Sequence, residues 1–270
     1  MQNIAFHGVP RSGTSWVGAI FDSSKNVEYR HQPLFSFSFK SFLTENSTEK
    51  EIDQFFSLIE KCNDDFILEK EGKNIGHKPT FQKDNITHII YKEARYHHIL
   101  INMMEQHDNV KVVGIVRNPK SVISSWYHAP KEFKKEEWGI LEEWKNASLK
   151  NEGRKEEFYG YDKWKEVTKT FLYLKEKYPT RFYLLEYNEL LNRTEETVKE
   201  LFSFCGIEFS EQTSQFLSLS QKKDLSEDSY SVYRLNQVDD KWKTDLPLEI
   251  VKSIDIDLKG TVLEKFLYDS

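Results

Sequence analysis

Residues Ile4 to Trp16 read IAFHGVPRSGTSW: an apolar run enters a turn bounded by Gly8 and Gly13 and leaves it into Trp16, Val17, Ile20 and Phe21. The run has strand character, and the residues after it are spaced for one face of a helix. A tight turn between a strand and a helix aims successive backbone N–H groups, with the positive end of the helix, at one point where a phosphate can sit. Arg11, Ser12, Thr14 and Ser15 add donors at the same place. The spacing Gly8-x-x-x-x-Gly13 matches the opening of a nucleoside-triphosphate loop, but Thr14 stands where that loop carries its lysine. A Mg²⁺-dependent NTPase also carries an acidic residue at the end of a second apolar strand. Here the comparable run, VKVVGIV, is followed by Arg117, which makes a second anion site of opposite sign.

Working outward, short apolar runs alternate with longer helical patterns. Asn3 to Phe6, His88 to Tyr91, Val110 to Val116 and Arg181 to Glu186 are strand-length and rich in β-branched or aromatic residues. Between them, Thr48 and Glu51 form a capping-box pair ahead of Ile52, Phe55, Phe56 and Ile59, and Val198, Leu201, Phe202 and Cys205 end at Gly206. Pro119 suits the first turn of a helix after Arg117, which places Ser125 about two turns in. That alternation implies an α/β protein with a mainly parallel sheet covered by helices. Two charge-dense stretches, Thr44 to Lys83 and Lys131 to Lys165, read as helical insertions over this scaffold, shaping substrate access or simply forming solvated surface. With no Pro/Gly/Ser-rich linker, residues 1–270 are expected to form one domain.

The charge balance, 38 basic against 44 acidic residues for a net −6, argues against a general nucleic-acid binder. Cys62 and Cys205 stand far apart with no ligand-like spacing, so neither a disulfide framework nor a metal site is expected. The N-terminus enters a strand at once and no run reaches the roughly 18 apolar residues of a membrane span. A soluble, cytoplasmic protein is expected.

The two anion-binding segments resemble those of the sulfotransferases that use 3′-phosphoadenosine 5′-phosphosulfate (PAPS), whose first signature is P-[KR]-[ST]-G-[TS]-[TS]-W and whose second is R-x-P-x(5)-S. Pro10-Arg11-Ser12-Gly13-Thr14-Ser15-Trp16 fits the first, and Arg117-Asn118-Pro119 with Ser125 fits the second. FYLLEYNELL places Tyr187 at a further family tyrosine, and Arg234 matches the arginine of an Arg-Lys-Gly segment whose lysine and glycine are replaced. The resemblance implies a P-loop NTPase-like three-layer α/β fold with PAPS as donor, PAP as product and no metal. It also implies that Arg11, Ser12, Gly13, Thr14 and Ser15 hold the 5′-phosphosulfate, that Trp16 stacks on the adenine, that Tyr187 contacts the base, and that Arg117, Ser125 and Arg234 hold the 3′-phosphate. The acceptor favoured by analogy with members having arginine in the loop is a carbohydrate or glycolipid hydroxyl, with a small phenol or alcohol second.

Chemically, sulfonyl transfer by in-line attack builds charge on the oxygen bridging sulfur to the departing phosphate, and Arg11 is the candidate to stabilise it. It would do so as a fixed charge, not as an acid. An acceptor hydroxyl also needs a general base. Family members carry a histidine after the strand preceding the second motif. Here Ala94 stands nearest that place, which leaves Glu93 at the strand end, His31 in YRHQPLFSF, and His77 in GHKP as candidates. A surface Glu93 paired with Arg95 or Lys92 is the structural alternative. His7 reads as packed beneath the loop, and His97-His98 as part of a helix. Two other functions share the loop: a nucleotide kinase, and a protein that binds PAP or PAPS without turning it over.

Overall fold

The computed structural model describes residues 1–74, 78–222, 232–233 and 238–268. Among them, strands β1 (Gln2–His7), β2 (Val27–His31), β3 (His88–Glu93), β4 (Lys111–Val116) and β5 (Phe182–Glu186) form one sheet in the order β2-β3-β1-β4-β5. Every pairing in it is parallel. Side chains alternate between the two faces of a strand, so each strand feeds two cores. Ile4, Phe6, Ile90, Val113 and Ile115 pack on one side with Val17, Ile20, Phe21, Leu201 and Phe202. Ala5, Ile89, Tyr91, Val112 and Val116 pack on the other with Phe55, Met103, Ile123, Trp164 and Phe171. Helices therefore cover both faces, Thr14–Asp22 and Thr194–Cys205 on the first and Glu49–Glu60, Pro119–Tyr127 and Tyr161–Lys177 on the second.

The four strands read from the sequence are present, with ends shifted by a residue or two. The fifth, β2, was hidden by its own chemistry: VEYRH carries Arg30, which is almost fully buried. Its guanidinium donates to the carbonyls of Ile59 (2.6 Å), Glu60 (2.5 Å) and Tyr29 (3.0 Å), which is what permits a charge inside a strand. The capping box forms as its residues suggest, Thr48 Oγ1 accepting from Glu51 N–H and Glu51 Oε2 accepting from Thr48 N–H. The helix it starts buries Ile52, Phe55, Phe56 and Ile59, and the second charge-dense stretch buries Phe133, Phe158 and Tyr159, so both stretches build core as well as surface. Among the described residues no helix is long and apolar enough to cross a membrane.

His7 lies under the loop, fully buried. Its ring nitrogens meet His97 Nδ1 at 3.1 Å and the Tyr91 hydroxyl at 3.2 Å. His97 and His98 open a helical segment as their sequence suggests, a 3₁₀ turn His97–Ile99 that runs directly into the helix Leu100–Gln106, and it is His97 that turns inward against His7. Burial, helped by the nearby His98, lowers the His7 pKa from 6.5 to about 3. A base whose folded pKa is depressed stays neutral on folding, so its contribution is complete above about pH 6.5 and is lost as pH falls toward 3. Between pH 7 and pH 5 this group alone should cost about 2 kcal/mol of stability. Denaturant titrations at both pH values check this: His7→Gln should lose less stability than the parent over the same interval.

Candidate active site

The loop after β1 is shaped by backbone geometry. Arg11 and Gly13 take φ of +72° and +90°, and the helix Thr14–Asp22 starts from Gly13 in the left-handed region. A side chain at Gly13 would meet the Tyr187 ring at 2.6 Å, and one at Gly8 would run into Ile115 on β4. Both glycines thus let the loop lie close against the neighbouring strand ends. Ser12 is fully buried, and its hydroxyl oxygen has no hydrogen-bond partner among the described residues. An unsatisfied buried hydroxyl in a turn of convergent N–H groups fits a site for an anion.

Arg117 extends from the end of β4 straight to this loop. Its Nη1 donates to the Arg11 carbonyl at 2.8 Å, and its guanidinium carbon lies 4.7 Å from the Tyr187 ring centre. Nε donates to Asp239 Oδ2 at 2.9 Å, and Nη2 donates to Asp239 Oδ1. Burial alone would lower the arginine's pKa, but the Asp239 carboxylate more than offsets this and holds the charge firmly in place. The helix Pro119–Tyr127 begins where its proline predicts, with Asn118 capping it, and carries Ser125 back toward the loop. There Arg11 Nε donates to Ser125 Oγ at 3.1 Å. Trp16 and Tyr187 meet edge to face at 6.3 Å, and Trp16 Nε1 donates to Ser220 Oγ. One cavity of about 640 Å³ is lined by Arg11, Gly13, Thr14, Ser15, Trp16, Arg117, Ser125 and Tyr187 together. Arg234 and His77 lie outside the described residues.

Glu93 and His31 do not line that cavity; they end the two strands beside it. Glu93 closes β3, and its carbonyl accepts from Gly8 N–H at 3.2 Å, directly where the loop begins. It is not a surface residue paired with a neighbour: it is fully buried, and Arg95 instead pairs with Glu157 at 3.0 Å. Oε1 accepts from Leu34 N–H at 2.7 Å, while Oε2 is buried with no partner. Burial pushes the carboxyl up to about 8, against the lowering pull of the Leu34 N–H, Lys92 and Arg95. His31 ends β2 with Nδ1 3.0 Å from Glu69 Oε1 and its ring edge-on to Phe66, and burial lowers it to about 4. Of the phenylalanines after it, Phe39 and Phe42 pack on Phe55, while Phe35 and Phe37 are exposed.

The family model for the sulfotransferase domain matches residues 2–259. The chain belongs to the sulfotransferase family. No curated protein matches it by sequence. Among solved structures, it is similar to the mouse sulfotransferase SULT7A1 complexed with PAP, at 14% identity and a TM-score of 0.60, over 98% of this chain and 87% of that one. It is similar to the sulfotransferase domain of the Synechococcus PCC 7002 olefin synthase, at 16% identity and a TM-score of 0.57, over 99% and 95%. A third similar structure is retinol dehydratase in a complex with retinol and PAP, at 15% identity and a TM-score of 0.55, over 97% and 82%. At such identities the likeness is one of fold.

In this sulfotransferase several cavity residues had escaped sequence reading. Ser121 and Ser124 share the helix of Ser125, and their spacing of four and one residues could have flagged them. Asp239 had no such signal, because nothing in the order of residues announces which carboxylate a buried arginine will find. Near Arg11, Glu132 Oε1 lies 3.8 Å from Nη1, and the Tyr159 hydroxyl accepts from Arg95 Nη2 at 3.5 Å; both come from the charge-dense stretch read as an insertion. Gly13→Ala must strain a left-handed backbone and push against Tyr187 at once. The variant should lose about 1–3 kcal/mol of stability, measured by chemical denaturation against the parent.

Proposed function

We propose that this sulfotransferase takes its sulfonate from PAPS and delivers it to an acceptor hydroxyl, with a carbohydrate or glycolipid as the favoured acceptor class. The observation that carries the donor assignment is the shared cavity: the loop and Arg117 bound one space, so one bisphosphate nucleotide can reach both. The loop N–H groups and the buried Ser12 hydroxyl suit the 5′-phosphosulfate. Trp16 and Tyr187 offer two aromatic walls for the adenine, and Arg117 with Ser125 suits the 3′-phosphate. The acceptor class rests on the analogy with family members that carry arginine in the loop.

When bound, PAPS supplies a sulfonate whose departure leaves negative charge on the oxygen joining sulfur to phosphate. Arg11 stands in the loop as the fixed positive charge for that oxygen, and Ser125 holds its Nε in place. Glu93 takes the acceptor proton on Oε2, the buried oxygen left without a hydrogen bond among the described residues. With a carboxyl near 8, Glu93 is mostly protonated at neutral pH, and its basic form grows as pH rises. His31, lowered to about 4 and set against Glu69, is the weaker base.

Thermal melts test the donor. PAP should raise the melting temperature strongly and ATP with Mg²⁺ should not; equal shifts would assign the loop to phosphoryl transfer. Arg117→Ala should weaken PAP binding by tenfold or more, on the order of one charge-assisted phosphate contact, while sparing adenosine 5′-phosphosulfate. Unchanged discrimination between the two would remove the 3′-phosphate from Arg117.

A pH profile tests the base. In the parent, kcat/KM should climb until pH passes about 8 and then level off. Glu93→Gln should cut kcat by roughly a hundredfold, flatten that rise and leave PAP affinity near its parent value. Near-normal turnover would hand the proton to His31, and loss of PAP binding in step with activity would mean Glu93 only shapes the loop.

A further inference from the structure

The arginine proposed to hold the 3′-phosphate is already committed. A guanidinium can grip an anion side-on, through Nε and Nη2, with two parallel bonds. In Arg117 that edge is spent on Asp239, Nη1 is spent on the Arg11 carbonyl, and the flat face lies on Tyr187. Asp239 lines the same cavity as Arg117 and Ser125, so the pair borders the space proposed for the nucleotide. The two side chains of this pair are only 12% and 4% exposed, so neither charge can fall back on water. The backbone of Asp239 is fixed independently: its carbonyl accepts from Ser121 Oγ at 3.2 Å and from Trp242 Nε1 at 3.1 Å. The position of the Asp239 backbone therefore does not depend on the carboxylate's pairing with Arg117. Lys241, two residues on, lines the same cavity.

We propose that Asp239 competes with the 3′-phosphate of the nucleotide for the bidentate edge of Arg117, so that binding at this site is an exchange of one anion for another. This rests on the PAPS reading above and adds to it a residue that sets how tightly the bisphosphate is held. Arg117 is never left as a buried charge without a partner: the carboxylate holds it when the phosphate leaves and yields it when the phosphate arrives. A nucleotide lacking the 3′-phosphate leaves the pair intact and feels no competition. Asp239 thus weakens PAP and PAPS selectively, which lets product leave.

The test is Asp239→Asn, with Asp239→Ala as a second variant, each titrated calorimetrically with PAP and with AMP. Both variants should bind PAP about tenfold or more tightly than the parent, chiefly through slower release, because a competing negative charge is gone. AMP affinity should stay within about twofold of the parent, since AMP makes no contact at that edge. Without nucleotide both variants should melt at a lower temperature than the parent, and PAP should raise their melting temperature by more than it raises the parent's. If Asp239 only positions Arg117, both variants will bind PAP more weakly, and that result overturns the proposal. An equal gain for AMP overturns it too, as does a variant that saturating PAP cannot restore to the folded state. A parent that does not prefer PAP over AMP would instead sink the nucleotide assignment itself, a failure visible before any variant is made.

Discussion

The hydrogen bond from Arg117 Nη1 to the Arg11 carbonyl ties the end of β4 to the turn that follows β1, and the site is built around it. Arg11 sits at φ +72°, a backbone state costly for a residue with a side chain, so something must hold it there. Arg117 does so from the carbonyl side and Ser125 from the side chain, both belonging to the same strand–helix unit. Because the guanidinium is buried, it must itself be neutralised, and Asp239 supplies the charge from a segment more than a hundred residues later. Loop shape, cavity wall and C-terminal segment are thereby coupled through one cation.

Much of this was legible in the order of residues because it is local. A strand, two glycines five apart and a helix specify a phosphate turn without help from the rest of the chain. Pro119 announces the helix that carries Ser125, and Thr48 with Glu51 announces another. What could not be read is non-local. β2 carries a buried arginine that, besides its local partners Glu28 and Tyr29, donates to the carbonyls of Ile59 and Glu60 some thirty residues away, and its strand character shows only once those carbonyls are placed. The environment of Glu93 is likewise set from elsewhere, by the Leu34 N–H on one oxygen and by the packing that leaves the other without a partner. Its position at a strand end could be read from the sequence; its burial and raised pKa could not.

Strand order then divides the labour. β1 lies in the middle of the sheet with β3 on one side and β4 on the other, so the turn after β1 opens at the point where the sheet is built outward in both directions. Crevices form at such points because the connections on either side diverge. The β4 side brings Arg117 and the serines of the following helix, cationic and hydroxylic groups suited to a phosphate. The β3 side brings Glu93, whose carboxyl is held near 8, and beyond it exposed Phe35. The groups proposed for the donor and for the acceptor thus come from the two strands that flank β1, with the loop of Arg11 between them.

That separation has an electrostatic consequence. Lys92 and Glu93 are consecutive on β3 and point to opposite faces, and burial leaves both near 8, the lysine lowered and the carboxyl raised. Each pulls the other toward its charged form, while desolvation pulls both toward neutrality. Lys92 is drawn toward its charged form more strongly by Glu69, the same carboxylate that stands against His31 on the neighbouring strand. With Glu69 as the carboxylate that most favours its charged form, Lys92 does not neutralise Glu93 by direct pairing, and the carboxyl on the opposite face keeps a basicity that an exposed glutamate lacks. On the role proposed for Glu93, a strand end that splits cation and acid across the sheet supplies the proton acceptor from a carboxyl rather than an imidazole.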